Sequence, residues 1–327
     1  MFETIAVGYR ATVFALSGVF EFTRQGFEKS SRLFTPGALD SAATASKTIL
    51  VTGANSGLGR AAAEMFAARG ASVHLLCRDE TRGVAARDEI AARTNNPEKI
   101  FLHLVDVSSV KSIKQFADNW AKTGKQIDVL VNNAGILPAT RSETPEGLES
   151  TFATNSLGSY ALTTLLLQFL KISADARVIS VSSGGAFNKK LDISDINYTV
   201  QPASTFDGAL VYAQTKRQQI EMTEYWAKQY PEIRFYSMHP GWADTPGVQS
   251  SIPGFYNAMK DRLRTSEQGA DTIVWAAISK EAMSLRNGAF LFDRKEVAQH
   301  VVFGGTKASV GDIEKLVKIC DEYLKSL

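Results

Sequence analysis

The sequence is poor in the residues that build metal sites and disulfide frameworks. Its two cysteines, Cys77 and Cys320, lie far apart, with neither metal-ligand spacing nor scaffold density. A reducing, cytoplasmic setting follows. The four histidines, His74, His103, His239 and His300, are equally scattered, so no metal site is expected. An excess of one charge is missing too: 36 Lys and Arg against 34 Asp and Glu leave a net charge of +2. With no basic tract, nucleic acid is excluded as a partner. Long hydrophobic runs are also lacking. The longest uncharged run near the amino terminus, residues 11–20, holds ten residues between Arg10 and Glu21, about half of the ~20 that a spanning helix needs. Glu3 and Arg10 argue against a signal peptide, and Glu3, Glu21 and Glu28 against an acid-poor mitochondrial presequence. What remains over residues 5–22 is an apolar-rich helix with two placements open. It packs on the protein, or it makes a peripheral contact with a membrane surface or a partner.

Composition is otherwise that of a soluble globular protein, 44% hydrophobic and 21% charged. From Lys47 onward, short apolar runs alternate with helix-length amphipathic segments, the pattern of βαβ units and a parallel sheet. Strands are expected at TILVT (48–52), SVHLLC (72–77), IFLHLV (100–105), IDVLVN (127–132), ARVISVS (176–182) and IRFYSM (233–238), with GAFLF (288–292) as a seventh. Their Val, Ile and Leu content fits strands covered on both faces. Helices are expected over 60–69, 81–93, 110–122, 145–171 and 210–230. No linker or internal repeat interrupts residues 47–327, which form one domain after a 1–46 extension made of the apolar helix and a linker-like stretch, 30–46.

The stretch TGANSGLG, residues 52–59, follows the first strand and opens the first helix. A strand, a Gly-rich turn and a helix start converge free backbone N–H groups and the positive helix end on one point, where a diphosphate binds. Gly53, Asn55, Ser56, Gly57, Leu58 and Gly59 are therefore candidate cofactor residues. The G-x-x-x-G-x-G spacing differs from the common G-x-G-x-x-G fingerprint, and it resembles that of short-chain dehydrogenases/reductases. Further motifs follow in that family's order: Asp106 after strand three, NNAG at 132–135 after strand four, Asn155 in a helix, Ser182 and Ser183 ending strand five, YAQTK at 212–216, and PG at 240–241 after strand six. The resemblance covers residues 48 to 292 and implies a Rossmann-type, doubly wound parallel α/β sheet of about seven strands with helices on both faces. It also implies a nicotinamide-dependent oxidoreductase acting on a small molecule, with homo-oligomeric assembly open.

Hydride transfer between a nicotinamide and a carbonyl leaves an oxyanion, which needs a proton donor and hydrogen bonds where charge develops. Tyr212 and Lys216 are four apart on a helix and share a face. An ammonium there favours the phenolate of a tyrosine whose free pKa is about 10. The resemblance adds that Lys216 holds the nicotinamide ribose, that Ser183 orients the carbonyl and that Asn155 positions a relay water. It assigns cofactor contacts to Asp106, Asn133, Ala134, Gly135, Tyr212, Lys216, Pro240, Gly241 and Thr245. A second Tyr-x-x-x-Lys, Tyr256 and Lys260, falls where the family carries a variable substrate lid, so Tyr212 is the expected acid. Strand alternation separates Ser182 from Ser183, and the family order favours Ser183.

Cofactor choice is read at the end of strand two, LCRDETRG (76–83). Cys77 stands where an acid would bind the ribose hydroxyls of NAD, and Arg78 can grip a 2′-phosphate. NADP(H) is thereby favoured over NAD(H), with Asp79 as the competing reader and a solvated Arg78 as the plain alternative. The insert 187–209 is expected to cover one side of the substrate site or to be a surface loop. Trp242 walls the pocket or packs under the lid. Lid residues Ile252, Phe255, Tyr256 and Met259 point to a lipophilic substrate such as a steroid, retinoid or lipid aldehyde. The competing function is a catalytically quiet NADP(H)-binding regulator or scaffold.

Overall fold

A computed structural model describes residues 2–40, 42–200 and 202–326. Successive side chains of a strand face opposite ways, and in the first strand Ile49 and Val51 enter one apolar cluster while Leu50 enters another. All three are fully buried. A strand apolar on both faces must be covered on both, and that dictates three layers.

In chain order the elements are α1 (Phe2–Ser17), a π-helical turn (Gly18–Phe22), α2 (Arg24–Ser31), β1 (Thr48–Thr52), α3 (Gly57–Ala67), β2 (Ser72–Cys77), α4 (Glu80–Thr94), β3 (Ile100–Leu104), α5 (Val110–Ala121), β4 (Val129–Asn132), α6 (Gly158–Leu170), β5 (Arg177–Val181), α7 (Gly208–Gln229), β6 (Arg234–Met238), α8 (Pro246–Ser251), α9 (Pro253–Met259), α10 (Ser266–Ile278), β7 (Phe290–Phe292), β8 (Lys295–Val297) and α11 (Val310–Ser326). The sheet runs β3-β2-β1-β4-β5-β6-β7-β8, parallel from β3 to β7 and antiparallel at β8. From β1 the chain winds outward to β2 and β3, then returns to start β4 on β1's other side. The carboxyl ends of β1 and β4 therefore flank the topological switch point, where open α/β sheets bind ligands.

The sheet has one strand more than the seven expected. β8 is short, charged and joined to β7 through Asp293 and Arg294, both at positive φ (47° and 59°). That geometry fits a two-residue hairpin turn, but without the Asn-Gly or Asp-Gly signal that would have announced it. Helices α10 and α11 were not among the expected elements. A capping box between Thr265 and Gln268 starts α10, while Ile313, Leu316, Val317 and Cys320 give α11 a buried stripe on the opposite side of the sheet.

The amino-terminal segment packs on the protein along one face and leaves the other exposed. Arg10, Phe14, Gly18 and Phe22 recur every four residues on the side facing the protein, with Arg10, Gly18 and Phe22 buried and Phe14 half-buried. Ile5, Leu16 and Phe20 face outward at 63%, 56% and 72% exposure. Ile5–Phe22 is long and apolar enough to cross a membrane by length and composition, yet Arg10 donates to the Gly304 carbonyl and Phe22 is enclosed by the core. Arg264 fastens the segment, donating to the carbonyls of Glu21, Phe22 and Thr23. Residues 10–23 are thus tied into the fold rather than standing apart from it.

Candidate active site

The first feature of the site is a cradle at the switch point. The Thr52 hydroxyl accepts from the backbone N–H of Asn133 and Ala134, each at 2.9 Å, and the Asn133 side chain donates to the Thr52 carbonyl at 2.8 Å. This cross-tie holds the β1 and β4 exits together. Gly53 (φ +63°) and Gly57 (φ +53°) adopt backbone that side chains disfavour, and a Cβ at Gly59 would collide with the Asn133 amide and the Gly53 carbonyl. The Ser56 hydroxyl does not cap α3, which leaves the first helical N–H groups for an anion. These features fit the diphosphate of a dinucleotide. Asn55, Ser56 and Leu58 line the same cleft, which encloses about 990 Å³. Asn132, by contrast, is buried away from it and bonds Thr163 on α6.

Around the cleft the parallel strands β1 to β6 deliver residues at or just after their carboxyl ends. β2 delivers Arg78 and Asp79, and Arg82 joins them from the first turn of α4. Asp79 caps that helix, accepting from the Arg82 N–H at 2.9 Å and pairing with its guanidinium at 3.6 Å. Its carboxylate is engaged locally, while Arg78 is exposed at the cleft rim. Burial raises the Cys77 thiol to about 11, so this position presents no charge. Asp106 also lines the cleft and is held by the Ser108 N–H and hydroxyl at 2.9 and 2.7 Å. Ala134 and Gly135 follow β4, and Pro240 and Gly241 follow β6. Thr245 caps α8, and its methyl approaches Gly57 across the cleft.

Three of the four residues expected to carry chemistry, Ser183, Tyr212 and Lys216, line the other end of the cleft, while Asn155 is buried behind them. The Asn155 side chain accepts from the Ile136 N–H at 2.8 Å and donates to the Ile136 carbonyl and the Thr215 hydroxyl, each at 3.0 Å. It lies in a π-helical turn before α6, a local distortion frequent at functional sites. Ser182 and Ser183 diverge as alternation requires: Ser182 bonds the Lys216 carbonyl within the core, and Ser183 lines the cleft with Tyr212. Lys216 donates to the Val181 carbonyl at 2.8 Å and to Gln219 at 3.1 Å, with its ammonium 5.3 Å from the Tyr212 ring centre. Burial lowers Lys216 to about 7 and raises Tyr212 to about 12, the Ser183 hydrogen bond pulling the tyrosine the other way. The net shift of Tyr212 is upward, against the lowering expected from Lys216, because burial dominates.

Several contributors escaped the sequence reading. Gln219 donates to the Asn155 carbonyl at 2.7 Å while accepting from Lys216, so one amide joins two of the four residues. Since an ammonium only donates and a carbonyl only accepts, these partners fix the orientation of that amide. Gln219 lies three residues after Lys216 on α7, a spacing that helix geometry makes readable. Arg82, one turn beyond Arg78, was equally readable. Phe14 was not, because its place in the cleft depends on how the amino-terminal segment folds back.

The lid residues divide. Ile252 and Phe255 line the cleft, whereas Tyr256, Lys260 and Met259 do not. Trp242 both lines the cleft and meets Phe255 edge-on, with ring centres 5.0 Å apart. Among the described residues of the 187–209 insert, only Asn188 and Ala209, near its ends, line the cleft. Its middle is held outside, where Arg141 donates to the Asn197 carbonyl and Asn197 accepts from the Glu149 N–H.

The model of the short chain dehydrogenase family matches residues 47–195. The chain is 45% identical to human dehydrogenase/reductase SDR family member 12 over 97% of its own length and 98% of that protein. It is 32% identical to human retinol dehydrogenase 12 over 76% of the chain and 78% of the relative. Among solved structures, an uncharacterized protein of Mycobacterium paratuberculosis is similar in fold, with a TM-score of 0.62 and 27% identity over 85% of this chain and 97% of that one. With the glycine cradle at the switch point and Ser183, Tyr212 and Lys216 in one cleft, the chain belongs to the short-chain dehydrogenase/reductase family, oxidoreductases that act on a CH–OH or C=O group with a nicotinamide cofactor.

Proposed function

We propose that this protein transfers a hydride between NADP(H) and the carbonyl or alcohol carbon of a lipophilic small molecule. The observation that carries the reading is that Ser183, Tyr212 and Lys216 line one cleft, with the Lys216 ammonium 5.3 Å from the Tyr212 ring centre, and that the other end of this cleft is the diphosphate cradle. The nicotinamide supplies or accepts the hydride when bound. Tyr212 gives a proton to the carbonyl oxygen during reduction and takes one from the hydroxyl during oxidation. Ser183 holds that oxygen by a second hydrogen bond. Lys216 grips the ribose, and Asn155 with Gln219 fixes Lys216 and the Gly135 loop in register. Residues 47–327 form the catalytic domain with its lid, and 1–46 the extension.

Preference for the phosphorylated cofactor rests on Arg78 and Arg82 at the cleft rim, with Asp79 engaged in capping. Arg78→Ala is expected to weaken NADPH by about 1.5–3 kcal/mol, the value of a lost charge-assisted contact, and to leave NADH nearly unchanged. Titration of both cofactors against wild type and variant measures it; equal losses would remove the preference.

The outward face of α1 and the π-helical turn that follows it, with Leu16 and Phe20 exposed, suits a peripheral membrane contact that keeps an apolar substrate near the cleft. Replacing both with Asp is expected to reduce pelleting with phospholipid vesicles several-fold, since each buried methylene contributes about 0.8 kcal/mol, without changing turnover of a water-soluble aldehyde. Unchanged pelleting would exclude this face as the contact.

A further inference from the structure

We propose that the amino-terminal segment is a wall of the substrate half of the cleft, and that Phe14 is a specificity-determining residue limiting the apolar group that fits beside Ser183 and Tyr212. The inference rests on the carbonyl/alcohol reading of the site and adds to it a part of the chain outside the dinucleotide-binding unit.

Phe14 lines the same cavity as Ser183, Tyr212 and Trp242. Gly184 follows Ser183 directly, and a Cβ placed there would stand 3.2 Å from Cε2 of Phe14 and 3.1 Å from Cε2 of Phe22. The two rings therefore sit at contact distance from the backbone that carries Ser183. Phe14 meets Trp242 edge-on at 6.3 Å between ring centres, and Trp242 meets Phe255 edge-on at 5.0 Å. Three aromatic side chains from three separate segments, α1, the loop after β6 and lid helix α9, thus form one continuous surface. Edge-to-face packing of this kind favours defined ring positions.

This wall is fixed in place. The Trp242 N–H donates to the Phe22 carbonyl at 2.8 Å, Arg264 holds three successive carbonyls of the segment, and the missing side chain of Gly18 lets the indole lie directly on the helix. The surface is also uncharged. His239, packed between Phe22 and Phe292 at 4.4 and 5.2 Å, is kept neutral by burial, which lowers it to about 3. A half-buried aromatic ring in such a surface selects by size and shape rather than by charge.

The test uses the full-length protein with NADPH and a homologous series of straight-chain aldehydes, from butanal to dodecanal, as turnover probes. Binding of the corresponding alcohols to the NADPH-loaded protein is followed by calorimetry. Phe14→Ala is expected to move the optimum of kcat/KM to longer chains, with a relative gain of roughly 10-fold for the longest members, within the range that one pocket methylene commands. Phe14→Trp should move it the other way. NADPH affinity should be unchanged in both, and Tyr9→Ala, on the exposed side of the same helix, should leave the profile alone. A Phe14→Ala profile that superimposes on wild type, with NADPH binding intact, overturns the inference. If no aldehyde is turned over but the alcohol-binding profile shifts, the wall stands and the oxidoreductase reading falls; if wild type binds no alcohol of any length, both fall. Should Phe14→Ala fail to fold, Phe14→Leu makes the same comparison with a smaller change.

Discussion

Tyr212→Phe is expected to lower kcat by about 10²- to 10⁴-fold, the usual contribution of a positioned general acid–base, while folding and NADPH affinity survive. The substitution keeps the ring and removes only the hydroxyl, while Ser183 beside it still accepts from the Gly185 N–H. Because the lost interaction forms in the transition state, the change should fall on kcat rather than on cofactor binding. Lys216→Ala should cost both, since it removes the proposed ribose grip and leaves the Val181 carbonyl and the Gln219 oxygen without their donor. Tyr256→Phe lies outside the cleft lining and should leave kcat near wild type. Normal turnover in Tyr212→Phe, with loss in Tyr256→Phe, would reverse the assignment. Binding of NADPH with no turnover of any carbonyl by the wild type would favour a regulatory dinucleotide-binding protein.

The same two groups set the expected pH dependence. Tyr212, raised to about 12, stays protonated across neutrality and is ready as an acid, whereas Lys216, lowered to about 7, loses its charge as pH rises through that value. Carbonyl reduction develops a phenolate that the ammonium stabilises, so its rate should fall as pH climbs from 6 to 8. Alcohol oxidation needs the phenolate at the outset, and its share grows tenfold per pH unit below the tyrosine's pKa. Oxidation should therefore rise with pH. A Lys216→Met variant with measurable activity should lack the descending limb of the reduction profile.

What could be read from the sequence was whatever lies on a strand's carboxyl end. Gly53, Arg78, Asp106, Gly135, Ser183 and Gly241 all reach one cleft because parallel strands point the same way, so strand order and a local motif locate them together. Helix periodicity carried Tyr212 and Lys216, and the same argument extended by three residues would have included Gln219. The hairpin strand β8 escaped because its turn carries Asp293 and Arg294 in place of Asn-Gly. Phe14 escaped for a different reason. Its stripe of inward residues is legible as a helix face, but the surface it meets is built from Gly184, Trp242 and Arg264, more than a hundred residues away in the chain. Periodicity says that a face is buried; it does not say against what.

Arg264→Met is expected to be the most destabilising of the substitutions considered. The guanidinium is 1% exposed and donates to both Asp293 carboxylate oxygens at 2.6 and 3.0 Å, besides the Glu21 and Phe22 carbonyls at 2.8 and 3.0 Å. It also lies over the Phe27 and Phe292 rings. Removing it strands a buried carboxylate, for which about 3–5 kcal/mol is typical. The loss arises from the unpaired charge rather than from the value of the ion pair itself, and this makes a sharper expectation available. Arg264→Met combined with Asp293→Leu should be more stable than Arg264→Met alone, because the double variant leaves no orphaned charge. Thermal unfolding of the three proteins measures the difference. The double variant still lacks the donors to Glu21 and Phe22, so residues 18–31 should become more sensitive to limited proteolysis, and chain-length selectivity should relax toward that of Phe14→Ala. A double variant as unstable as the single one would mean that the carbonyl contacts, not the carboxylate, dominate; unchanged selectivity would mean that the aromatic wall holds without Arg264.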